Sequence, residues 1–269
     1  MIAKIIRSQV LISLASVTFY WSGFILLGVD KSAVPVRFTA FILFATFLAY
    51  NLPVITKYVK YPEKHKIFIG FYTLIIILVL YISLGFGMVK FIYLIHLGII
   101  SFAYNYPFKS KNRGFLPARS IPFLKILLVA YVWASIGTIL PALNYYNQPA
   151  FQHMLVIFVI QLLFIVVITL PFDIRDYLLD KHNHIKTIPG FFGIRSTRIA
   201  GILLSVLYML ISILTLHSAI PFIIIGLVMI ILIFHSNLGK KEFYYTGVID
   251  GFIIIYWLIL FISSQLGMI

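Results

Sequence analysis

The chain carries only seven acidic residues, and three of them fall within eight positions: Asp173, Asp176 and Asp180. Their spacing, Asp-x-x-Asp-x-x-x-Asp, puts all three carboxylates on one face of a helix. Like charges a turn apart destabilise a helix by ~0.2–0.5 kcal/mol per pair, and the repulsion grows where solvent screening is poor. A cation is therefore expected among them, and Arg175, inside the run, is expected to point the other way. Hard carboxylate oxygens without His or Cys partners suit Mg2+, which keeps several waters and bridges one or two carboxylates to a phosphate. The chemistry these residues announce is a Mg2+–phosphate or Mg2+–diphosphate site. A structural reading competes with it. Pro171 suits a helix start, and acids in a first turn complement the helix dipole, but Asp180 lies a further turn on.

Other polar residues are candidates of lower rank. Lys109, Lys111, Arg113 and Arg119 form a basic run that suits diphosphate oxygens, as do Lys181 and Lys186 beside the acids. Asn51 and Asn105 stand at helix ends, fit to orient metal or substrate. Gln161 lies in the middle of an apolar run, where an amide bonds another helix. Asp250 is an intramembrane acid by position and a candidate for that reason. His182 and His184 lack a third ligand at metal spacing. There is no cysteine, which excludes thiolate and disulfide chemistry.

The elements that must position these residues are membrane helices. Of 269 residues, 62% are hydrophobic and 10% charged, against roughly 25% charged in soluble domains. Apolar runs long enough to cross ~30 Å of hydrocarbon recur along the whole chain. Nine spans are expected, at 9–29, 36–55, 67–87, 89–105, 122–143, 152–172, 199–217, 219–235 and 247–266. Gly85-Phe86-Gly87 and the stretch from His217 to Pro221 are expected to break two longer runs. The fold expected is an all-α, polytopic membrane bundle forming a single domain over 1–269. Lys4 and Arg7 before the first run resemble a signal peptide, but without a convincing cleavage site the run reads as the first helix.

The net charge of +14 is distributed unevenly. With the N-terminus in the cytoplasm, 18 of the 21 Lys and Arg fall in inner loops, leaving Lys31, Arg37 and Lys90 outside. That pattern fixes orientation, points to a plasma or inner membrane, and explains the charge by contact with anionic lipid rather than nucleic acid. The longer polar segments, 56–66, 106–121, 173–198 and 236–246, are expected as inner loops forming a cytoplasmic working surface.

The stretch Asp173-Ile-Arg-Asp176-Tyr-Leu-Leu-Asp180-Lys181, followed by Ile185-Lys186-Thr187-Ile188-Pro189 and Gly193, resembles the second aspartate motif of the UbiA superfamily of intramembrane prenyltransferases. Tyr104-Asn-Tyr-Pro-Phe-Lys109 and Leu116-Pro-x-x-x-x-Pro-Phe-Leu-Lys125, running into Trp133-Ala134, are similar to that family's segment after its fourth span. The resemblance implies Mg2+-dependent transfer of a prenyl group from a prenyl diphosphate to an aromatic, quinone-precursor or tetrapyrrole-like acceptor. It also implies that Asp173, Asp176 and Asp180 hold the metal. The resemblance further implies a first aspartate motif after helix 2 that also holds Mg2+ on the diphosphate, and that motif is missing. Asn51 is present, but the aspartate positions fall on Leu52, Ile55 and Val59, or, aligned through Leu52-Pro53 and its echo Leu170-Pro171, on Ile55, Tyr58 and Pro62. Lys57, Lys60 or Lys64 are expected to supply charge there instead, since lysine binds phosphate as a point charge. The rival readings are a non-catalytic isoprenoid-binding or scaffold relative, and a transporter using the acids as an ion site. The oligomeric state is left open.

Overall fold

The structure, a computed structural model, describes residues 2–29, 34–59, 61–105, 107–110, 114–117, 121, 123–145, 149–182 and 187–269. Of residues 2–8, 62, 105, 107–110 and 114–117 it describes the backbone alone. The elements run α1 (Ile2–Leu26), α2 (Val36–Val59), a 3-10 turn (Pro62–Lys64), α3 (Lys66–Ser83), α4 (Met88–Asn105), then a hairpin of β1 (Pro107–Ser110) and β2 (Gly114–Pro117). They continue with α5 (Leu124–Ala134), a π-helical turn (Ser135–Ile139), α6 (Leu140–Asn144), α7 (Phe151–His182), α8 (Ile188–Leu216), α9 (Ile220–His235), a second π-helical turn (Tyr244–Ile249) and α10 (Asp250–Gln265). In the hairpin Pro107 pairs with Pro117 and Ser110 with Gly114, antiparallel.

Among the described residues, seven helical segments are long and apolar enough to cross a membrane, with Met88–Tyr104 and Ile220–His235 as shorter apolar helices. The chain is an integral membrane protein. Both expected breaks occur: α3 stops at Ser83, and α8 stops at His217, whose left-handed φ of 51° closes the helix. The segment 173–198 is not the loop expected from sequence. Helix α7 passes through Pro171 and continues to His182, and α8 begins at Ile188 with a kink at Gly193. Proline costs a helix one backbone hydrogen bond, but membrane helices tolerate it where packed neighbours and local adjustments re-satisfy the freed groups. The first-turn explanation of Asp173 and Asp176 therefore does not hold, because these acids lie more than five turns into the helix.

Burial separates inner from outer helices. Two thirds of the apolar window of α1 is buried, against 17% for α3 and 22% for α8. α1 is thus the central post, packed on α10 and on the π turn after α5. Its approach to that turn requires glycine: a Cβ on Gly23 would lie 2.0 Å from the Gly137 carbonyl oxygen. Gln161 of α7 seals the junction. Its amide nitrogen donates to Ser22 Oγ (3.2 Å) and to the Gly137 carbonyl (3.4 Å), and its oxygen accepts from the Tyr256 hydroxyl (3.4 Å). It therefore binds helices together, as expected of a mid-span amide.

Some of the basic residues have plain structural work. Arg37 donates to the carbonyls of Ile82 (3.0 Å) and Tyr81 (3.3 Å), capping α3, and Arg198 donates to the Ser236 carbonyl just after α9. A cation there satisfies orphan carbonyls and complements the dipole. Arg37→Met is expected to lower stability by about 1–2 kcal/mol, from typical charged hydrogen-bond values; a fall in the melting temperature in detergent checks it.

Candidate functional site

The three acids do share one face of α7, and the cation among them is a lysine. Lys125, in the first turn of α5, sets its ammonium 2.8 Å from Asp173 Oδ1, 3.5 Å from Asp180 Oδ2 and 4.0 Å from Asp176 Oδ2. The Asp173 side chain is only 3% exposed. Arg175 does not point away as expected. Its Nε and Nη2 donate to the two oxygens of Asp176 at 2.7 and 3.1 Å, and its guanidinium lies over the rings of Phe172 (5.1 Å) and Tyr245 (5.3 Å). The arginine stem is long enough to fold back onto its neighbour, and the two rings fix it there.

These groups form one end of a cavity of about 330 Å³. Asp173, Arg175, Asp176 and Lys125 line it, with Tyr50, Tyr104, Trp133, Thr169 and Asp250. Asp250 does not pair with Lys240 or Lys241; it faces this cavity from the residue that follows the second π turn. Such turns are frequent at functional sites because they re-aim side chains. Asp180 reaches Lys125 but is not on the cavity wall.

Two apolar chambers adjoin. One, of about 270 Å³, lies among Ala49, Pro53, Ile100, Tyr104 and Leu128. The other, of about 460 Å³, lies among Phe41, Ala45, Leu48, Ile76, Leu97 and Leu140. All three spaces share Tyr50 and Trp133, and Trp133 Nε1 donates to the Tyr50 hydroxyl at 3.3 Å. That hydrogen-bonded pair stands where the polar end gives way to the apolar end.

The other expected residues fall elsewhere. Asn51 is buried with its amide spent, donating to the Phe47 carbonyl (2.8 Å) and accepting from the Tyr72 hydroxyl (3.1 Å). Lys57 and Lys64 are exposed near the end of α2, outside the described cavity wall, and Lys66 pairs with exposed Glu63 at 2.7 Å. Lys60 lies outside the described residues, as do Lys111, Arg113, Arg119, His184 and Lys186; of Lys109 and Asn105 only the backbone is described. Lys181 and His182 are exposed, with the Lys181 ammonium 6.0 Å from the Tyr177 ring centre. Sequence reasoning missed Lys125 as a site residue because it is 48 to 55 positions from its partners. Its signal was a charge at the start of an otherwise apolar span.

The donor chemistry fits Mg2+. Three carboxylates already converge on one cationic centre with hard oxygen atoms. No group of three or more His, Cys, Asp or Glu is arranged to hold a metal by itself among the described residues. Mg2+ takes one or two carboxylates and completes its shell with water and phosphate.

No family model and no curated protein matches the chain. Solved structures do. A UbiA homologue from Archaeoglobus fulgidus bound to GPP and Mg2+ superposes with a TM-score of 0.55 at 14% identity, covering 95% of this chain and 97% of that one. A structure of a UbiA homologue from the same organism bound to DMAPP and Mg2+ gives 0.58 at 13%, covering 94% and 97%. The fold is that of the UbiA homologues. At this identity the likeness concerns the path of the backbone along nearly the whole chain. Within the UbiA fold, the acid-bearing helix and the lysine facing it are features of this chain's own residues.

Proposed function

We propose that this protein is a UbiA-like prenyltransferase homologue, which transfers a prenyl group from a prenyl diphosphate to an aromatic, quinone-precursor or tetrapyrrole-like acceptor in a Mg2+-dependent reaction. One observation carries the reading: a cavity with Asp173, Asp176 and Lys125 on its wall shares Tyr50 and Trp133 with two adjoining apolar chambers. This is the shape of an amphiphile with an anionic head and an isoprenoid tail. The solved structures bound to GPP or DMAPP with Mg2+ agree with it.

Asp173 and Asp176, with Asp180 behind them, would hold Mg2+ against the diphosphate. Bound there, the ion supplies stabilisation of the negative charge on the departing oxygen. Lys125 and Arg175 hold the carboxylates in a fixed arrangement. The apolar walls exclude water, which strengthens each of these interactions and protects an allylic cation from hydrolysis. The rings of Tyr50, Tyr104 and Trp133 present π faces to such a cation. Lys109, Arg113, Arg119, Lys181 and Lys186 are the basic residues proposed to hold the diphosphate. All nine apolar helices are proposed to cross the membrane, as one domain over 1–269 with a cytoplasmic N-terminus in the plasma or inner membrane.

The deciding experiment incubates purified protein with labelled prenyl diphosphates, Mg2+ and a panel of acceptors. Diphosphate release supports the enzyme. Mg2+-dependent binding without turnover favours a binding relative, the reading that the missing first motif supports. Absence of both overturns the proposal. The tail path is tested separately. Ala49 borders both apolar chambers, so Ala49→Phe is expected to weaken long-chain prenyl diphosphates at least tenfold while leaving inorganic diphosphate within about twofold, since each buried methylene contributes ~0.8 kcal/mol. Equal losses for both probes would refute that path.

A further inference from the structure

We infer that Lys125 does the work of a second metal ion, so that this chain takes a diphosphate with one divalent ion and one ammonium. The inference rests on the prenyl diphosphate reading above and adds to it how the charge is balanced.

The end of α2 offers no anionic donors for a second ion. In one register the expected positions are Leu52, Ile55 and Val59, in the other Ile55, Tyr58 and Pro62. What α2 gives the cavity is Tyr50. Acids on the described cavity wall come from α7 and α10 alone: Asp173, Asp176 and Asp250. Against these stand Lys125 and Arg175, and both donating edges of Arg175 that the structure records are committed to Asp176. A diphosphate adds further negative charge, and a single divalent ion on the acids leaves part of it unbalanced.

Lys125 is placed to supply the rest. It reaches from α5 to α7, touches the acids and lines the cavity at once. An ammonium has three donors on a flexible stem, so it can keep Asp173 while turning another N–H to phosphate. Without ligand it occupies the centre on which the acids converge. A divalent ion binding alone must therefore compete with it, whereas ion and diphosphate together give it a new anionic partner. Metal and diphosphate are thereby made to bind cooperatively.

The test uses the full chain in detergent or nanodiscs, with Mn2+ as the spin-active ion and geranyl diphosphate as the probe. Electron paramagnetic resonance is expected to count one Mn2+ per bound diphosphate. Lys125→Met is expected to weaken geranyl diphosphate about 30-fold or more, yet to raise the affinity of ligand-free protein for Mn2+ alone, a gain that a merely structural lysine would not produce. Lys125→Arg is expected to keep most of the diphosphate affinity. Two ions per diphosphate, or unchanged affinities in Lys125→Met, overturn the role of Lys125 and leave the functional reading standing. No binding of geranyl diphosphate by the natural chain overturns both. Should Lys125→Met fail to fold, the ion count on the natural chain decides alone.

Discussion

Asp173→Asn lowers Mg2+-dependent affinity for geranyl diphosphate by about 100-fold or more. An anionic metal ligand lost outright should cost more than the ~10–100-fold typical of a residue that only supports such a ligand. Asp173 is the least exposed acid of the trio and the nearest to Lys125, at 2.8 Å, and it also faces the cavity. An amide keeps the size but offers no anionic donor to a hard cation. The three acids are not equivalent, and their order is itself a test. Asp176 shares its charge with Arg175, and Asp180 is off the cavity wall. Losses should therefore fall in the order Asp173, Asp176, Asp180, with Asp180→Asn costing about tenfold, the low end for a residue behind a metal ligand. Isothermal titration with and without Mg2+ gives all three values. Equal losses would mean that the trio acts as one rigid cage, and no loss at Asp173 would remove the site.

Gly23→Ala is expected to be among the most damaging small substitutions in the chain. The added carbon would meet the Gly137 carbonyl oxygen at 2.0 Å and Pro141 Cγ at 2.6 Å. The first obstacle is backbone, so α1 must move away from the π turn, and the Gln161 bonds to Ser22 and Gly137 stretch with it. Overpacking of this kind costs about 1–3 kcal/mol, and the bridge adds ~0.5–1.5 kcal/mol per hydrogen bond lost. Gly70→Ala is the control. Nothing lies within 4 Å of its added carbon, and replacing a helical glycine should stabilise by ~0.5–1 kcal/mol. Thermal unfolding in detergent should move the two variants in opposite directions. If both behave alike, the contact between α1 and the π turn does not limit stability.

Much of the fold could be read from the residues because its main signal is composition. Apolar runs, two glycine or proline breaks and the Asp-x-x-Asp-x-x-x-Asp spacing are local, and local periodicity survives folding. Pro171 misled because proline suits a first helical turn, whereas here it sits inside one continuous helix. Packed neighbours and local adjustments re-satisfy the groups that Pro171 frees, α7 runs on to His182, and the expected loop over 173–198 became mostly helix. Lys125 was hidden among charges that orient the chain, since only the packing of α5 on α7 brings it to the acids. Asn51 was read as standing at a helix end, yet α2 runs on to Val59, and Tyr72, 21 residues on, occupies its side chain.

The length of α7 has a consequence for where the chemistry happens. Its 32 residues extend about 48 Å, whereas ~20 residues suffice for the hydrocarbon. With Phe151 set at one hydrocarbon boundary, the lipid tails would be crossed by about residue 171, which would put the acids at the depth of the phospholipid phosphates. A prenyl diphosphate dissolved in the leaflet already carries its head at that level and its tail below it. On the proposed function, such a substrate would arrive by sideways diffusion, with anionic headgroups at the same depth as its natural competitors.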